Sequence, residues 1–222
     1  MFKRAIVSAA LMIVAGATPA LAQQRFAISG WGGYSFSDGV DGQSVVAGNG
    51  QLYDRVDPKD GGIFGFNIGF LTPANGEVGF MYSYQFSALV FGGPTAETNV
   101  GDMGLSTYHG YFAYNFLDPD SAIRPFIFIG FGATNFGSVG YNVGNQTGST
   151  SNETKFSSTW GAGANYFPAP KVGIRFAVRW TPTYIKSDAS GWWCDPYWGC
   201  YVTGNPQYAN QLDLTGGVTV RF

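Results

Sequence analysis

The chain has 222 residues, of which 33 are glycine, 17 % are aromatic and only 12 % are charged, with 12 Lys and Arg against 14 Asp and Glu. So many aromatics at a net charge of −2 exclude a disordered chain, and the near balance of signs excludes a strongly basic nucleic-acid binder. Enrichment in Gly, Phe, Tyr and Thr excludes a helical bundle and leaves an all-β protein with an unusually apolar, uncharged surface.

The N-terminus reads as an export signal. Lys3 and Arg4 precede an apolar run over residues 5–16, and Ala20-Leu21-Ala22 has the small-x-small pattern of a signal-peptidase site. The run is too short, and too interrupted by Ser8, Thr18 and Pro19, for a ~20-residue membrane span. Cleavage after Ala22 leaves a single domain, 23–222, with ten basic side chains against 14 acidic ones, a net charge of −4. Nothing downstream is a continuous apolar run of ~18 residues, so a membrane protein built from this chain must cross as a closed barrel.

Period-2 alternation then picks out eight segments of roughly ten residues, the length of a tilted bilayer-crossing strand. In chain order they lie at 25–37, 63–71, 78–87, 107–116, 124–135, 156–166, 172–184 and 211–222. One face carries large apolar side chains, such as Val78, Phe80, Tyr82, Tyr84 and Phe86 in the third segment; the other carries Gly79, Met81, Ser83, Gln85 and Ser87. The fifth segment is apolar on both faces, and Ile127, Ile129 and Phe131 are assigned outward because this places Gly130, Gly132 and Thr134 with Arg124 inside. A soluble sandwich would load its polar face with Lys and Glu, whereas here that face is Gly, Ser, Thr and Asn, suited to the narrow interior of a small barrel whose apolar face meets lipid. The connections alternate strictly. Long ones at 38–62, 92–103, 137–154 and 186–207 alternate with short ones at 72–77, 118–122 and 168–171, as expected when one rim is extracellular and the other periplasmic.

With Ala20-Leu21-Ala22, Arg124-Pro125 at the start of the fifth segment and alternating 212–222 ending in Phe222, the chain resembles the small eight-stranded outer-membrane barrels of Gram-negative bacteria, the OmpA-like and Opa-like group. The resemblance implies an up-and-down antiparallel barrel with both termini in the periplasm. It also implies that terminal Phe222 is a signal to the barrel-assembly machinery, and that outer-membrane lipid and lipopolysaccharide surround the protein. The chain ends at Phe222, so the peptidoglycan-binding domain of longer OmpA-like proteins is not expected.

Candidate sites fall in the lumen and in the last long loop. Arg175, Arg179 and Arg221 face inward with Asp213 and Arg124, and Asp213 is expected to pair with Arg179. The cluster reads as a packed polar plug, against the alternative of a gated, anion-preferring leak motivated by several Arg facing a single Asp. His109, the sole histidine, faces inward beside Tyr111 and has no His-x-Ser pattern, so it reads as structural. Cys194 and Cys200 sit in an exported loop with Pro196 between them and no adjacent histidine, which points to a local disulfide and not to a metal site. Around them, Trp192, Trp193, Tyr197, Trp198 and Tyr201 form either an aromatic cluster or girdle, or a rigid surface knob that docks a partner or lipopolysaccharide. Asp38, Asp41, Asp54, Asp57 and Asp60 do not have calcium-loop spacing and read as solvated surface, and 137–154 reads as a mobile loop without an apolar anchor.

No cofactor, metal or catalytic set is expected. The leading function is a non-enzymatic, monomeric surface protein acting in envelope integrity or loop-mediated, adhesin-like binding. A narrow porin-like channel for small solutes is the alternative, and a lipid-modifying enzyme ranks last.

Overall fold

The computed structural model describes residues 26–46, 52–92, 97–118, 120–143, 146–185, 193–195, 199–201 and 207–222. The expected export signal at 1–22 and Trp192, Tyr197 and Trp198 lie outside these residues. Eight long antiparallel strands form the wall: β1 (Phe26–Asp38), β4 (Gly61–Leu71), β5 (Gly76–Gly92), β6 (Glu97–Asn115), β7 (Ile123–Phe136), β10 (Glu153–Tyr166), β11 (Val172–Ile185) and β14 (Gln207–Arg221). Around the ring the order is β5-β4-β1-β14-β11-β10-β7-β6, and β6 pairs with β5 to close it. Every expected segment is one of these strands. At the seam between first and last strands, the Phe222 N–H donates to the Phe26 carbonyl at 2.8 Å.

Side-chain parity follows the sequence pattern. Phe64, Phe80, Phe112, Phe131, Phe156, Trp160, Phe176 and Leu214 are exposed, while Ser29, Ser83, Thr107, His109, Thr134, Ser157, Thr159 and Asp213 are buried at 2 % or less. A continuous exposed apolar belt around buried Ser, Thr and charge inverts the soluble arrangement and is the signature of a barrel with lipid outside. The doubtful fifth segment follows its assigned register, with Ile127 and Phe131 exposed and Arg124 and Thr134 buried, and its second apolar face puts Phe126 and Phe128 in the lumen. Room for these rings comes from glycine: a Cβ on Gly161 would sit 2.4 Å from the Phe128 ring, and one on Gly65 2.5 Å from the Trp31 ring.

The short connections hold. In the first, Asn75 takes φ 59, the left-handed region that asparagine tolerates, and the Thr72 N–H donates to the Gly76 carbonyl at 2.8 Å.

The long connections are more ordered than the sequence pattern suggests. Over 38–62 the chain forms β2 (Val40–Val46) and β3 (Leu52–Pro58), paired with each other, and β3 also pairs with upper β5. The expected loop 92–103 shrinks, because β5 runs to Gly92 and β6 begins at Glu97. β5 and β6 span 17 and 19 residues, well beyond the ~9–11 needed to cross a bilayer, so the wall stands proud of the membrane at this rim. The segment 137–154 carries the hairpin of β8 (Gly140–Val143) and β9 (Gln146–Ser149), and Val139 is its apolar anchor, 1 % exposed, with its N–H donating to Thr150 Oγ1 at 2.8 Å. The last connection contains β12 (Trp193–Asp195) paired with β13 (Gly199–Tyr201).

Candidate functional site: a lumen plugged in layers

Arg179 is the centre of the lumen. On β11 its parity points it inward, and β14 pairs Arg179 directly opposite Asp213. Its Nε donates to Asp213 Oδ2 at 2.7 Å, Nη2 donates to Ser83 Oγ at 2.9 Å, and Nη1 lies 3.2 Å from Met81 Sδ. Ser83 and Met81 belong to β5, four strands from β11 in either direction around an eight-strand ring. One side chain therefore spans the barrel from wall to opposite wall. The expected Arg179–Asp213 pair is present, with both side chains at 3 % exposure or less.

A second link crosses the same diameter lower down. Arg175 stacks on the Phe126 ring at 3.9 Å and approaches Glu77 Oε2 at 4.0 Å, while the Tyr111 hydroxyl donates to Glu77 Oε1. Glu77, 4 % exposed, was placed by the sequence reading in a turn, and the count of several Arg facing one acid is corrected to four Arg facing Asp213 and Glu77. The signal was available: Glu77 shares parity with Met81 and Ser83 and needs only a strand extended one residue toward the turn. Arg124 and Arg221 occupy the periplasmic end, with Arg221 stacked on Phe167 at 3.3 Å.

Above Arg179 the lumen is filled with hydroxyls and amides. His109 Nε2 lies 2.8 Å from Ser157 Oγ, Thr134 donates to Ser157 at 2.9 Å, and Thr183 donates to Thr134 at 3.1 Å. Gln211 donates to Gln85, which in turn donates to Ser37 Oγ at 2.9 Å. His109 therefore does face a serine, which the sequence reading did not place, because the partners sit on β6 and β10 with β7 between them. The pair carries no nucleophile activation: His109 Nδ1 has no carboxylate on it, and both residues are wholly buried. Among the described residues no cluster of His, Cys, Asp and Glu could hold a metal ion.

The outer end is closed differently. Val40, Val56, Leu89, Phe91, Met103, Leu105, Phe136, Val139, Ile185 and Ala209 pack into one buried apolar cluster where the strands rise above the belt. At its rim, Asp57 and Asp60 are bonded to backbone and Asp57 also to Arg55, while Asp38 and Asp41 pair with Arg55 and remain exposed, at 65 % and 74 %. Arg55 Nε donates to Asp57 Oδ2 at 2.7 Å and pairs with Asp38 and, at 3.6 Å, Asp41. The Gly39 N–H donates to Asp57 at 2.9 Å and the Ser37 N–H to Asp60 at 2.8 Å. The hydrogen bond that Arg55 donates to Asp57 raises the Arg55 pKa further above its ordinary value, so the guanidinium stays charged.

The β12–β13 ladder places Cys194 opposite Cys200 and Trp193 opposite Tyr201 in backbone register; their side chains lie outside the described residues. Phe222 is exposed on the lipid side of the seam, beside Phe26.

An eight-stranded ring with lipid-compatible walls, a polar filled interior and long strands at one rim defines an outer-membrane barrel. The chain belongs to the outer membrane protein beta-barrel domain family, whose pattern it matches over residues 7–222. Its place is accordingly the bacterial outer membrane. No curated protein matches the sequence. Among solved structures, it is similar to the outer membrane protein OprG from Pseudomonas aeruginosa at 13 % identity and TM-score 0.61, covering 88 % of this chain and 95 % of that one. The outer membrane protein AlkL is similar at 14 % identity and TM-score 0.54, covering 93 % and 94 %. Neisserial surface protein A is similar at 14 % identity and TM-score 0.50, covering 89 % and 97 %. Identities this low establish a shared fold.

Proposed function

We propose that the protein is a non-conducting, non-enzymatic surface barrel, monomeric, that contributes to envelope integrity and presents its outer hairpins for binding. The observation that carries this reading is Arg179 reaching Asp213, Met81 and Ser83 across the full width of the lumen. With the Arg175–Glu77 approach below it and the apolar cluster above, no solute-sized path is left along the axis, since an eight-stranded interior is just wide enough for side chains to fill. The test is planar-bilayer recording of the purified protein. A flat baseline for the wild type is the expected result; a stable, reproducible wild-type conductance that disappears in Arg179→Ala would support the porin-like alternative.

The chain reaches this membrane through an export signal at 1–22, with Phe222 presented to the assembly machinery and lipopolysaccharide around the finished barrel. Binding is assigned to the connection that carries β12 and β13, where the cross-strand position of Cys194 and Cys200 in an oxidising compartment favours a disulfide that would rigidify a segment whose sequence includes Trp192, Trp193, Tyr197, Trp198 and Tyr201. Intact-mass analysis of protein purified from outer membranes, with and without reductant before alkylation, is expected to show both thiols protected until reduction. Two alkylated cysteines without reductant would remove the disulfide.

A further inference from the structure

Arg175 poses a problem that its protein partners do not solve. Its side chain is 6 % exposed, yet its contacts are a ring face, Phe126 at 3.9 Å, and a carboxylate oxygen at 4.0 Å, beyond hydrogen-bond reach. A buried guanidinium carries five N–H donors, and buried donors in native proteins find acceptors. Directly against it lies a cavity of about 20 Å³ lined by Trp31, Asn67, Met81, Phe128, Arg175, Ala177, Arg179 and Thr215. That is room for one water-sized particle.

The lining decides what kind of particle. Two guanidiniums and no carboxylate face the space. Arg179 spends Nη1 on the sulfur of Met81, a weak acceptor, so it also has hydrogen-bonding capacity to offer. Both guanidiniums are buried beside it in a space sheathed by lipid. A single anion between two cations is attracted by both, where a water offers no charge to either. The volume rejects carboxylate- or phosphate-bearing ligands, and the Trp31 and Phe128 rings leave no apolar vestibule for anything larger.

We infer that the cavity between Arg175 and Arg179 is a binding site for a small monatomic anion of halide size, chloride under physiological conditions. The ion supplies Arg175 with the acceptor it lacks, bridges it to Arg179, and completes the plug as a fixed structural component. Asp213, on the neighbouring strand, is bonded to Arg179, while Glu77, on the opposite wall, stays 4.0 Å from Arg175 and leaves its donors to the ion.

The experiment compares thermal unfolding of the detergent-folded protein in sodium chloride, sodium bromide and sodium gluconate at matched concentration, gluconate being too large to enter. The expected result is a midpoint several degrees higher in both halides than in gluconate, saturating with halide concentration. Crystals grown in bromide should show an anomalous peak between the two guanidiniums. Ala177→Val, which fills the cavity with two added methyl groups while keeping every charge, should unfold at one temperature in all three salts. A midpoint indifferent to the anion, bromide crystals without a peak there, or a halide dependence that survives in Ala177→Val would each overturn the proposal and leave water as the occupant.

Discussion

Asp213→Ala is expected to destabilise the folded barrel by about 3–5 kcal/mol, the cost of removing one member of a buried ion pair and leaving the other charged. Asp213 is wholly buried and Arg179 is 3 % exposed, so the guanidinium freed by the substitution has no water to turn to. Its remaining protein partners, Ser83 Oγ, Met81 Sδ and the Trp31 ring, are neutral and cannot replace the carboxylate. Urea unfolding of the protein in phospholipid vesicles, followed by tryptophan fluorescence, measures the loss. The double variant Arg179→Met/Asp213→Ala should recover a large part of it, because no orphaned charge remains. If Asp213→Ala alone lies within ~0.5 kcal/mol of wild type, the pair is not what holds the lumen together. A loss in the double variant equal to the sum of the singles would likewise show the two residues acting independently.

The same pair shows how far sequence parity carries. Strand parity depends only on the pleat, so each of the eight wall strands could be read without a partner, and the inward residues Arg175, Arg179, Asp213 and Arg221 followed from it. The Arg179–Asp213 pair was legible because β11 and β14 are neighbours separated by one hairpin. Contacts across the lumen were not. Arg179 to Ser83, Arg175 to Glu77 and His109 to Ser157 join strands that are not adjacent, and their meeting depends on barrel diameter and stagger, which no local pattern encodes.

The outer rim is hidden from a local pattern for a different reason. Polar, Gly-rich stretches such as 137–154 look like loops because their alternation is weak, but a hairpin growing from an existing wall needs little pattern of its own. For β3 the wall strand β5 supplies an edge, β8 and β9 pair with each other, and a few apolar anchors supply the rest. Val139 beneath β8, Val40 in β2 and Val56 in β3 are such anchors, each at 3 % exposure or less within the outer apolar cluster. Single valines in a polar stretch carry no period, so only the assembled rim reveals them. Around Arg55 the acids Asp38 and Asp41 keep the exposure their pattern suggests, and what no local pattern shows is the Gly39 N–H turned toward Asp57.

Parity also makes the lipid boundary testable at one residue. Phe176 is 61 % exposed, midway along the outward row Val172, Ile174, Phe176, Val178 and Trp180, and its ring covers Gly216 on the neighbouring strand. Placed near the centre of the belt, Phe176→Arg should cost about 2–4 kcal/mol in vesicles, the penalty for a cation at the bilayer midplane of a barrel. Tyr208 faces outward at 56 % exposure but lies at the start of β14 on the extracellular side, so Tyr208→Arg should cost about 0–1 kcal/mol. The contrast between two equally exposed aromatics separates lipid from water. A protein whose outer face met water would tolerate both substitutions alike and become more soluble with each. A loss at Phe176 several times that at Tyr208, read from folded-fraction titrations in urea, places the hydrocarbon core around the level where Arg175 and Arg179 close the lumen on the other side of the same wall.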